Sequence, residues 1–372
     1  MSLSEFDSLH ATILVAVFLL AAVLGAVMRE TRFCTMGAIS DVVYVGDWMR
    51  ARQWLISIGV AMCGFSLLAH AGWIDPRNIV YAAPQVIWLS ALVGGLLFGV
   101  GMVLASGCGA RNLTRLGSGS LKSLVVLLVL AVSAFATLKG ITAVPRVRWF
   151  DSVNVTLAVP ALLPEWLASK GAGGAANVRL WLGGGLGAAL IALGWGAPRQ
   201  QRDGSVLAGG LLVGACVAAA WAISGHWGEV QEHPQTLEHM YAATYTGRIE
   251  SFSFVAPVAH VLDWLLFFSD KAKVLTWGVV AVFGVVCGAF AQSLWRREFR
   301  WQGFADNADL ARHLVGATLM GIGGVMALGC TVGQGISAIS ALQISSFVAV
   351  AAIVAGAVMM LRVQQWRLER QA

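Results

Sequence analysis

Residues 93–108 read VGGLLFGVGMVLASGC, and residues 315–330 read VGATLMGIGGVMALGC. Nine of these sixteen aligned positions are identical, and both runs end in Gly-Cys. A second pair of segments supports nearly the same offset, because VAMCGF around Cys63 resembles VVCGAF around Cys287. Similarity of a chain to itself at a fixed offset indicates repeated structural units. The sequence therefore predicts two related halves, each containing one of the Gly-Cys runs.

Long apolar runs separated by clusters of charge predict a chain that crosses a membrane many times. The chain has 372 residues, of which 58% are hydrophobic and 12% are charged, whereas a soluble domain has about a quarter charged residues. A membrane-spanning helix needs roughly 20 apolar residues. Nine segments of the sequence meet this condition, at residues 11–28, 53–71, 86–106, 122–139, 180–197, 206–224, 274–294, 311–328 and 345–362.

The repeat and the charges together predict the topology. Four of these helices fall in a first half (1–140) and four in a second half (205–372), and a linker (141–204) carries an outer loop and the helix 180–197. Five helices separate matching members, so the second half is inverted relative to the first. With the N-terminus outside, 16 of the 25 Lys and Arg residues lie on the inner side. This bias predicts a cytoplasmic C-terminus, and it accounts for the net charge of +6 without nucleic-acid binding.

Four further stretches are too short for ordinary spanning helices, yet they are moderately apolar. They lie at residues 32–48, 107–120, 251–268 and 329–343. Non-helical backbone at membrane depth is tolerated only where it is buried in protein or lines a cavity. We therefore predict short re-entrant helices, with interfacial loops as the alternative. Two of the stretches start inside and two outside, so their tips are expected to meet near the midplane, where transporter sites are commonly built.

The six cysteines divide into two groups. Cys63, Cys216 and Cys287 lie within apolar helices, where a free cysteine usually acts as a small hydrophobic residue. Cys34, Cys108 and Cys330 lie at or near the turns that open re-entrant stretches. Their spacing matches no structural zinc signature, and we expect neither a metal nor a cofactor. The loop histidines His226, His233 and His239 also match no metal motif, and we interpret them as solvated side chains.

Thiols in these positions point to a particular kind of solute. A thiol is a weak donor and acceptor, so a soft anion with a terminal sulfur could pass along several thiols without being trapped, as conduction requires. Backbone N–H groups at half-helix N-termini supply a mild positive potential. Gly107 and Gly329 let the backbone approach the solute closely.

The phrases MRETRFCTMGA, GGLLFGVGMVLASGCGARN and ALGCTVGQGISA resemble the YeeE/YedE family of bacterial sulfur transporters, and the similarity extends from about residue 12 to 362. This resemblance implies an all-α integral membrane protein with an hourglass shape and inward-pointing short helices. It implies uptake of the thiosulfate ion across the cell inner membrane, with Cys34, Cys108 and Cys330 relaying the ion. It also implies small cytoplasmic sulfur-carrier partners of the TusA type.

On this hypothesis Cys330 meets the anion first, and Cys108 and Cys34 pass it inward. The other candidate path residues flank the two Gly-Cys motifs; they are Thr331, Gln334 and Ser337 after Cys330, and Arg111 and Asn112 after Cys108. For each, a helix cap, an interhelical hydrogen bond or, for Arg111, an interfacial anchor is the alternative.

Other functions remain open at the level of sequence. Other members of the family are linked to selenium metabolism, so a different sulfur or selenium compound is an alternative substrate. A membrane sulfurtransferase that forms a persulfide needs a cysteine of lowered pKa, which Arg32 and Arg111 near Cys34 and Cys108 keep possible. A neutral-solute channel is suggested only by the paired re-entrant stretches. We expect a transporter without enzymatic activity, and no ATP-binding motif of the P-loop type is present.

Overall fold

The computed structural model describes residues 2–196, 203–234, 237–270 and 273–370, and it shows an all-α membrane protein. The helices are α1 (Leu3–Glu30), α2 (Thr35–Tyr44), α3 (Met49–His70), α4 (Trp88–Leu104), α5 (Gly109–Gly117), α6 (Leu121–Lys139), α7 (Ala143–Pro145), α8 (Leu163–Ser169), α9 (Ala175–Trp195), α10 (Gly204–Ala222), α11 (Val255–Leu266), α12 (Trp277–Trp295), α13 (Asn307–Met326) and α14 (Ile344–Glu369). Shorter pieces are a 3₁₀ turn (Pro76–Asn78) and three π-helical segments (Arg146–Asp151, Ile223–Trp227 and Gly333–Ala338). Two antiparallel ribbons pair Gln85–Val86 with Val155–Thr156 and Glu229–Val230 with Met240–Tyr241.

Several helices begin where the sequence supplies a capping side chain. Ser2, Ser120, Asp203 and Asp306 each accept a hydrogen bond from a backbone N–H in the first turn of α1, α6, α10 and α13, respectively. A cap of this kind satisfies one of the four N–H groups that a helix leaves unpaired at its N-terminus. Capping therefore marks the boundaries at which polar loops give way to the apolar helices.

The predicted spanning helices all form. In the described part of the chain, eight helical stretches are long and apolar enough to cross a membrane; two of them join α1 to α2 and α4 to α5. The ninth predicted span, 311–328, is α13, and its first turns carry Asp309, Arg312 and His313, which make it less apolar than the others. The predicted helix 180–197 is observed as α9, and residue 197 lies outside the described residues.

Helix packing follows the repeat. The sequence match relates α3 to α12, α4 to α13 and α6 to α14, and the order of the helices then relates α1 to α10. Among the most extensive contacts, α1 packs on α12 while α10 packs on α3, and α4 packs on α14 while α13 packs on α6. Exchanging the halves converts each of these pairs into the other, as a two-fold relation between inverted repeats requires.

Four glycines form the central contact between the halves, where α4 packs on α13. A Cβ atom at Gly94 would lie 2.7 Å from the carbonyl oxygen of Gly323, and one at Gly101 would lie 2.6 Å from that of Gly316. The sequence offset relates Gly94 to Gly316 and Gly101 to Gly323, so the two contacts are equivalent. Small residues let membrane helices approach closely, and here they bring the two Gly-Cys turns to the same region.

The linker helix α9 packs against α3, and the two backbones approach closely where Gly187 meets Gly59. The neighbouring helix α8 is joined to α9 by a buried ion pair between Glu165 and Arg179. The linker is therefore part of the packed helical body. The division at residues 140 and 205 remains a prediction from the sequence repeat.

Candidate functional site

The same backbone turn precedes both Gly-Cys motifs. Ser106 has φ +55° and Leu328 has φ +58°, and the glycines that follow, Gly107 and Gly329, have φ +159° and +158°. Left-handed backbone in a residue with a side chain costs of order 1–3 kcal/mol and persists only where the surroundings enforce it. Two strained turns with matching angles indicate that the fold needs the cysteines in fixed positions.

Each predicted re-entrant stretch contains a short helix, and three of these helices begin at a cysteine. Cys34 is the N-cap of α2, and its sulfur accepts a hydrogen bond from the Gly37 N–H at 3.4 Å. Cys108 is the N-cap of α5. Cys330 opens the helical stretch 331–340, and its sulfur accepts from the Gly333 N–H at 3.4 Å. Sulfur atoms at helix N-termini lie in a positive potential that favours negative charge.

The three thiols converge on one buried region. Cys108 lies within electrostatic reach of both Cys34 and Cys330, and its side chain lies next to the Thr331 hydroxyl. The exposed fractions of Cys34, Cys108 and Cys330 are 6%, 2% and 0%. The other cysteines lie elsewhere: Cys63 bonds to the Gly184 carbonyl at 3.6 Å on α9, Cys216 is buried in α10, and Cys287 is exposed on α12.

Two of the predicted polar residues stabilise the turns beside the cysteines. The Asn112 amide donates to the carbonyls of Gly107 at 3.0 Å and Cys108 at 3.1 Å. The Gln334 amide donates to the Leu328 carbonyl at 3.0 Å. These bonds hold the backbone on which Cys108 and Cys330 are carried.

The polar residues predicted after Cys330 differ in whether their side-chain atoms have hydrogen-bond partners; these residues are Thr331, Gln334 and Ser337. The Ser337 hydroxyl donates to the Phe252 carbonyl at 2.8 Å, so it joins the segment after Cys330 to the re-entrant stretch before α11. The buried Thr331 hydroxyl has only the adjacent Cys108 thiol as a partner in the described part of the chain, and the buried Gln334 Oε1 atom has none. A hydroxyl can donate a hydrogen bond to an anion, whereas an amide oxygen only accepts, so of these two atoms the Thr331 hydroxyl is the one suited to an anionic solute.

Arg111 lies beside the thiols on the α5 side. Its guanidinium lies within electrostatic reach of the Cys34 and Cys108 side chains, and Arg29 and Arg115 lie nearby. One of its nitrogens, Nη1, is buried and unpaired within the described residues. Arg115, in contrast, donates to the Ser106 carbonyl at 2.7 Å. Arg111 therefore provides a cation that is available to an anion.

The sequence analysis missed several residues that surround the cysteines. Thr35 and Trp54 line an apolar cavity of about 320 Å³ that also reaches Thr331, and the Trp54 ring stacks on Phe33 at 4.8 Å. Arg50 lies over Gly37 at the start of α2 and pairs with Asp41 at 3.3 Å. Thr35 directly follows Cys34, a signal that sequence reasoning could have used, whereas Trp54 and Arg50 come from α3 and reach the site only through tertiary packing.

A second cavity lies near Cys330, between the segment before α4 and the start of α11. Its volume is about 140 Å³, and Tyr81, Glu250, Ser253, His260 and Leu328 are among its lining residues. The Tyr81 hydroxyl donates to the Gly333 carbonyl at 3.2 Å. No local motif marks Tyr81 or Glu250, because both lie in connecting loops.

The loop histidines contact other side chains. His226 stacks on Trp73 at 4.7 Å, His239 lies 3.1 Å from a Glu229 oxygen, and the His233 ring meets Phe6 edge-on. Within the described residues, no group of three or more His, Cys, Asp and Glu side chains could hold a metal ion.

The eight apolar spans found among the described residues, the two-fold relation of the helical contacts and the short helices that begin at the cysteines define a polytopic membrane protein of the transporter class. The chain belongs to the Sulphur transport family, whose model matches residues 30–359.

Three relatives carry transporter names. The thiosulfate transporter TsuA of Escherichia coli is 28% identical over 325 residues, covering 85% of this chain and 84% of that protein. The thiosulfate transporter TsuA of Spirochaeta thermophila is 23% identical over 332 residues, covering 87% and 91%. The probable transporter YedE of Escherichia coli is 32% identical over 84 residues, covering 23% and 19%.

Proposed function

We propose that this protein takes up thiosulfate across the cell inner membrane along a path formed by Cys330, Cys108 and Cys34. The convergence of three buried thiols at helix N-termini carries the proposal. The names of the two longest-matching relatives support thiosulfate as the solute.

The path works by exchanging weak hydrogen bonds. A thiol donates weakly to the terminal sulfur or an oxygen of thiosulfate, and helix N–H groups stabilise the negative charge. The Thr331 hydroxyl extends the polar wall as a further donor. The Gln334 amide holds the turn before Cys330, and Gly107 and Gly329 let the backbone approach the ion closely. Because each contact is weak, the ion can leave one thiol for the next, as a conducting path requires.

The proposed direction follows the charge bias of the loops. The N-terminus and the cavity at Glu250 face outward, and Arg111 and the C-terminus face the cytoplasm. A cytoplasmic sulfur carrier of the TusA type receives the ion or its sulfur there. Arg29, Arg32 and Arg296, with Glu30 and Glu298, line a polar recess of about 220 Å³ on this side.

Uptake of radiolabelled thiosulfate tests the proposal. Uptake is measured in cells that lack other thiosulfate importers and produce the protein. The same cells producing an inactive control at an equal level in the membrane give the background. We expect uptake only with the protein and competition by unlabelled thiosulfate. Absence of uptake at normal expression contradicts thiosulfate as the substrate, and selenium compounds are then the next solutes to supply.

A sulfurtransferase that forms a persulfide is the second candidate. The observation in its favour is the position of Cys34 and Cys108 at helix N-termini with Arg111 nearby. Substitution of these cysteines by serine separates the two functions. A hydrogen-bonding relay keeps part of its flux with a hydroxyl, whereas persulfide chemistry is lost completely.

A further inference from the structure

The cavity near Cys330 contains an acid where an anion is expected to enter. It is bounded by residues 80–81, by the loop that precedes α11, by α11 itself and by Leu328, two residues before Cys330. A water needs roughly 10–15 Å³ of such space, so the 140 Å³ volume accommodates a small hydrated anion. By the proposed orientation this cavity is the outer vestibule.

Glu250 is held in the vestibule wall by one of its two carboxyl oxygens. Oε1 accepts hydrogen bonds from the Tyr245 N–H at 3.2 Å, the Thr246 N–H at 3.3 Å and the Thr246 hydroxyl at 3.1 Å. Within the described part of the chain, Oε2 accepts no hydrogen bond and neither oxygen forms a salt bridge. A carboxyl group is thus fixed at the vestibule without a counter-charge.

The neighbouring charged and titratable groups are engaged elsewhere. Tyr81 lies within electrostatic reach of both Glu250 and Cys330, and its hydroxyl donates to the Gly333 carbonyl at 3.2 Å. His260 of α11 stacks on Tyr245 at 3.8 Å, and Lys139 of α6 lies 5.7 Å from the same ring. Lys273 is bound to Asp263 at 2.6 Å, and Arg248 is an exposed residue that lines a different cavity.

We propose that Glu250 is a proton-binding residue that controls entry of the anion, so that uptake requires Glu250 to be neutral. This inference rests on the proposed function. An ionised carboxylate repels a dianion in the confined vestibule, where the effective dielectric constant is far below that of water. A neutral carboxyl group removes this repulsion, and its hydroxyl can donate a hydrogen bond to the anion.

Glu250 is half-buried in the vestibule wall, and this partial loss of hydration moves its titration towards the physiological range. Loss of hydration raises the pKa of Glu250 to about 7, although its three hydrogen bonds act in the opposite direction. The group is therefore mostly protonated below this pH and mostly ionised above it. Uptake should rise as the pH falls through about 7.

Purified protein in proteoliposomes tests the inference, with equal pH on both sides so that no proton gradient drives the flux. For the wild type, thiosulfate flux should be about tenfold higher at about pH 6 than at about pH 8, following the protonated fraction. Glu250→Gln should give a pH-independent flux close to the wild-type value at low pH.

Matched variants separate Glu250 from other groups. Glu229→Gln removes a glutamate of the same loop that pairs with His239, and it should keep the wild-type pH profile. His260→Asn should keep the profile as well. Glu250→Asp retains a titrating group and should still respond to pH, which keeps the test valid if Glu250→Gln fails to fold.

Three outcomes overturn the inference while leaving thiosulfate transport intact. The first is a Glu250→Gln protein that retains the wild-type pH slope, and the second is a Glu250→Asp protein that loses it. The third is a pH slope that disappears only with His260→Asn. A wild type without thiosulfate flux at any pH instead contradicts the proposed function, and the inference then fails with it.

Discussion

Asn112 and Gln334 hold equivalent positions in the two halves, and each side-chain amide ties down the turn that precedes its cysteine. Asn112 Nδ2 reaches the Gly107 carbonyl at 3.0 Å, and Gln334 Nε2 reaches the Leu328 carbonyl at 3.0 Å. The two halves use different amide side chains for the same purpose. Each amide stabilises a strained turn and thereby fixes the position of the cysteine that follows it.

Removal of these amides should loosen the cysteines. We expect Asn112→Leu and Gln334→Met each to lower stability by about 1 kcal/mol, the net value of a typical hydrogen bond, and to reduce thiosulfate flux several-fold. Thermal unfolding in detergent and flux in proteoliposomes measure the two effects. Gln365→Met in α14 is the control, because it removes an amide that donates to Glu369 and does not contact either turn. Unchanged flux in both variants contradicts this role for the amides.

The glycines between α4 and α13 should tolerate no side chain. A Cβ at Gly101 would lie 2.6 Å from the Gly316 carbonyl oxygen, so Gly101→Val should cost about 1–3 kcal/mol through overpacking. Gly184→Val in α9 is the matched control, because a Cβ there meets nothing within 4 Å. The yield and melting temperature of the purified proteins compare the two. Equal stability of both variants means that the close helix contact is not needed.

The turns before the cysteines predict opposite effects at adjacent positions. Ser106 has φ +55°, which glycine adopts without strain, so Ser106→Gly should keep the flux and raise stability by about 1 kcal/mol. Gly107 has φ +159°, so Gly107→Ala should lower both. Thermal unfolding and flux are measured on both variants. A stabilised Gly107→Ala protein contradicts the requirement for glycine at this position of the turn.

The cation beside the thiols should matter for binding of the anion. Arg111→Gln should raise the KM for thiosulfate supplied from the cytoplasmic face several-fold, because one nearby positive charge is lost. The effect should shrink at high ionic strength if it is electrostatic. Arg370→Gln, at the end of α14, serves as the control. Counterflow in proteoliposomes gives the KM of both variants. An unchanged KM for Arg111→Gln assigns Arg111 to a purely structural role.

Much of the fold could be predicted because it depends on local composition. The apolar runs predicted the spanning helices. The Gly-Cys repeat predicted matching positions in α4 and α13, and these positions pack in equivalent pairs, Gly94 on Gly323 and Gly101 on Gly316. Of the nine predicted spans, α13 alone is not among the eight apolar spans of the described residues, since Asp309, Arg312 and His313 make its beginning polar. These features are properties of single segments, so a sequence reveals them directly.

The candidate site was predictable only in part. The three cysteines stood out because each opens a short segment beside glycine, threonine or serine. Tyr81, Trp54 and Glu250 did not, since they come from a loop or a spanning helix and reach the site only through tertiary packing. The Ser337 hydroxyl donates to the Phe252 carbonyl, a bond between segments 85 residues apart that the sequence did not predict, and its role in the path stays a prediction.

The most direct test of the thiol path is thiosulfate flux through purified protein in proteoliposomes, with one cysteine changed at a time. Cys34→Ala, Cys108→Ala and Cys330→Ala should each lose most of the flux while folding normally, because each removes one of the few polar contacts along the path. Cys216→Ala removes a buried cysteine of α10 away from the path, and it should transport like the wild type. Wild-type flux in any of the three path variants would contradict the relay.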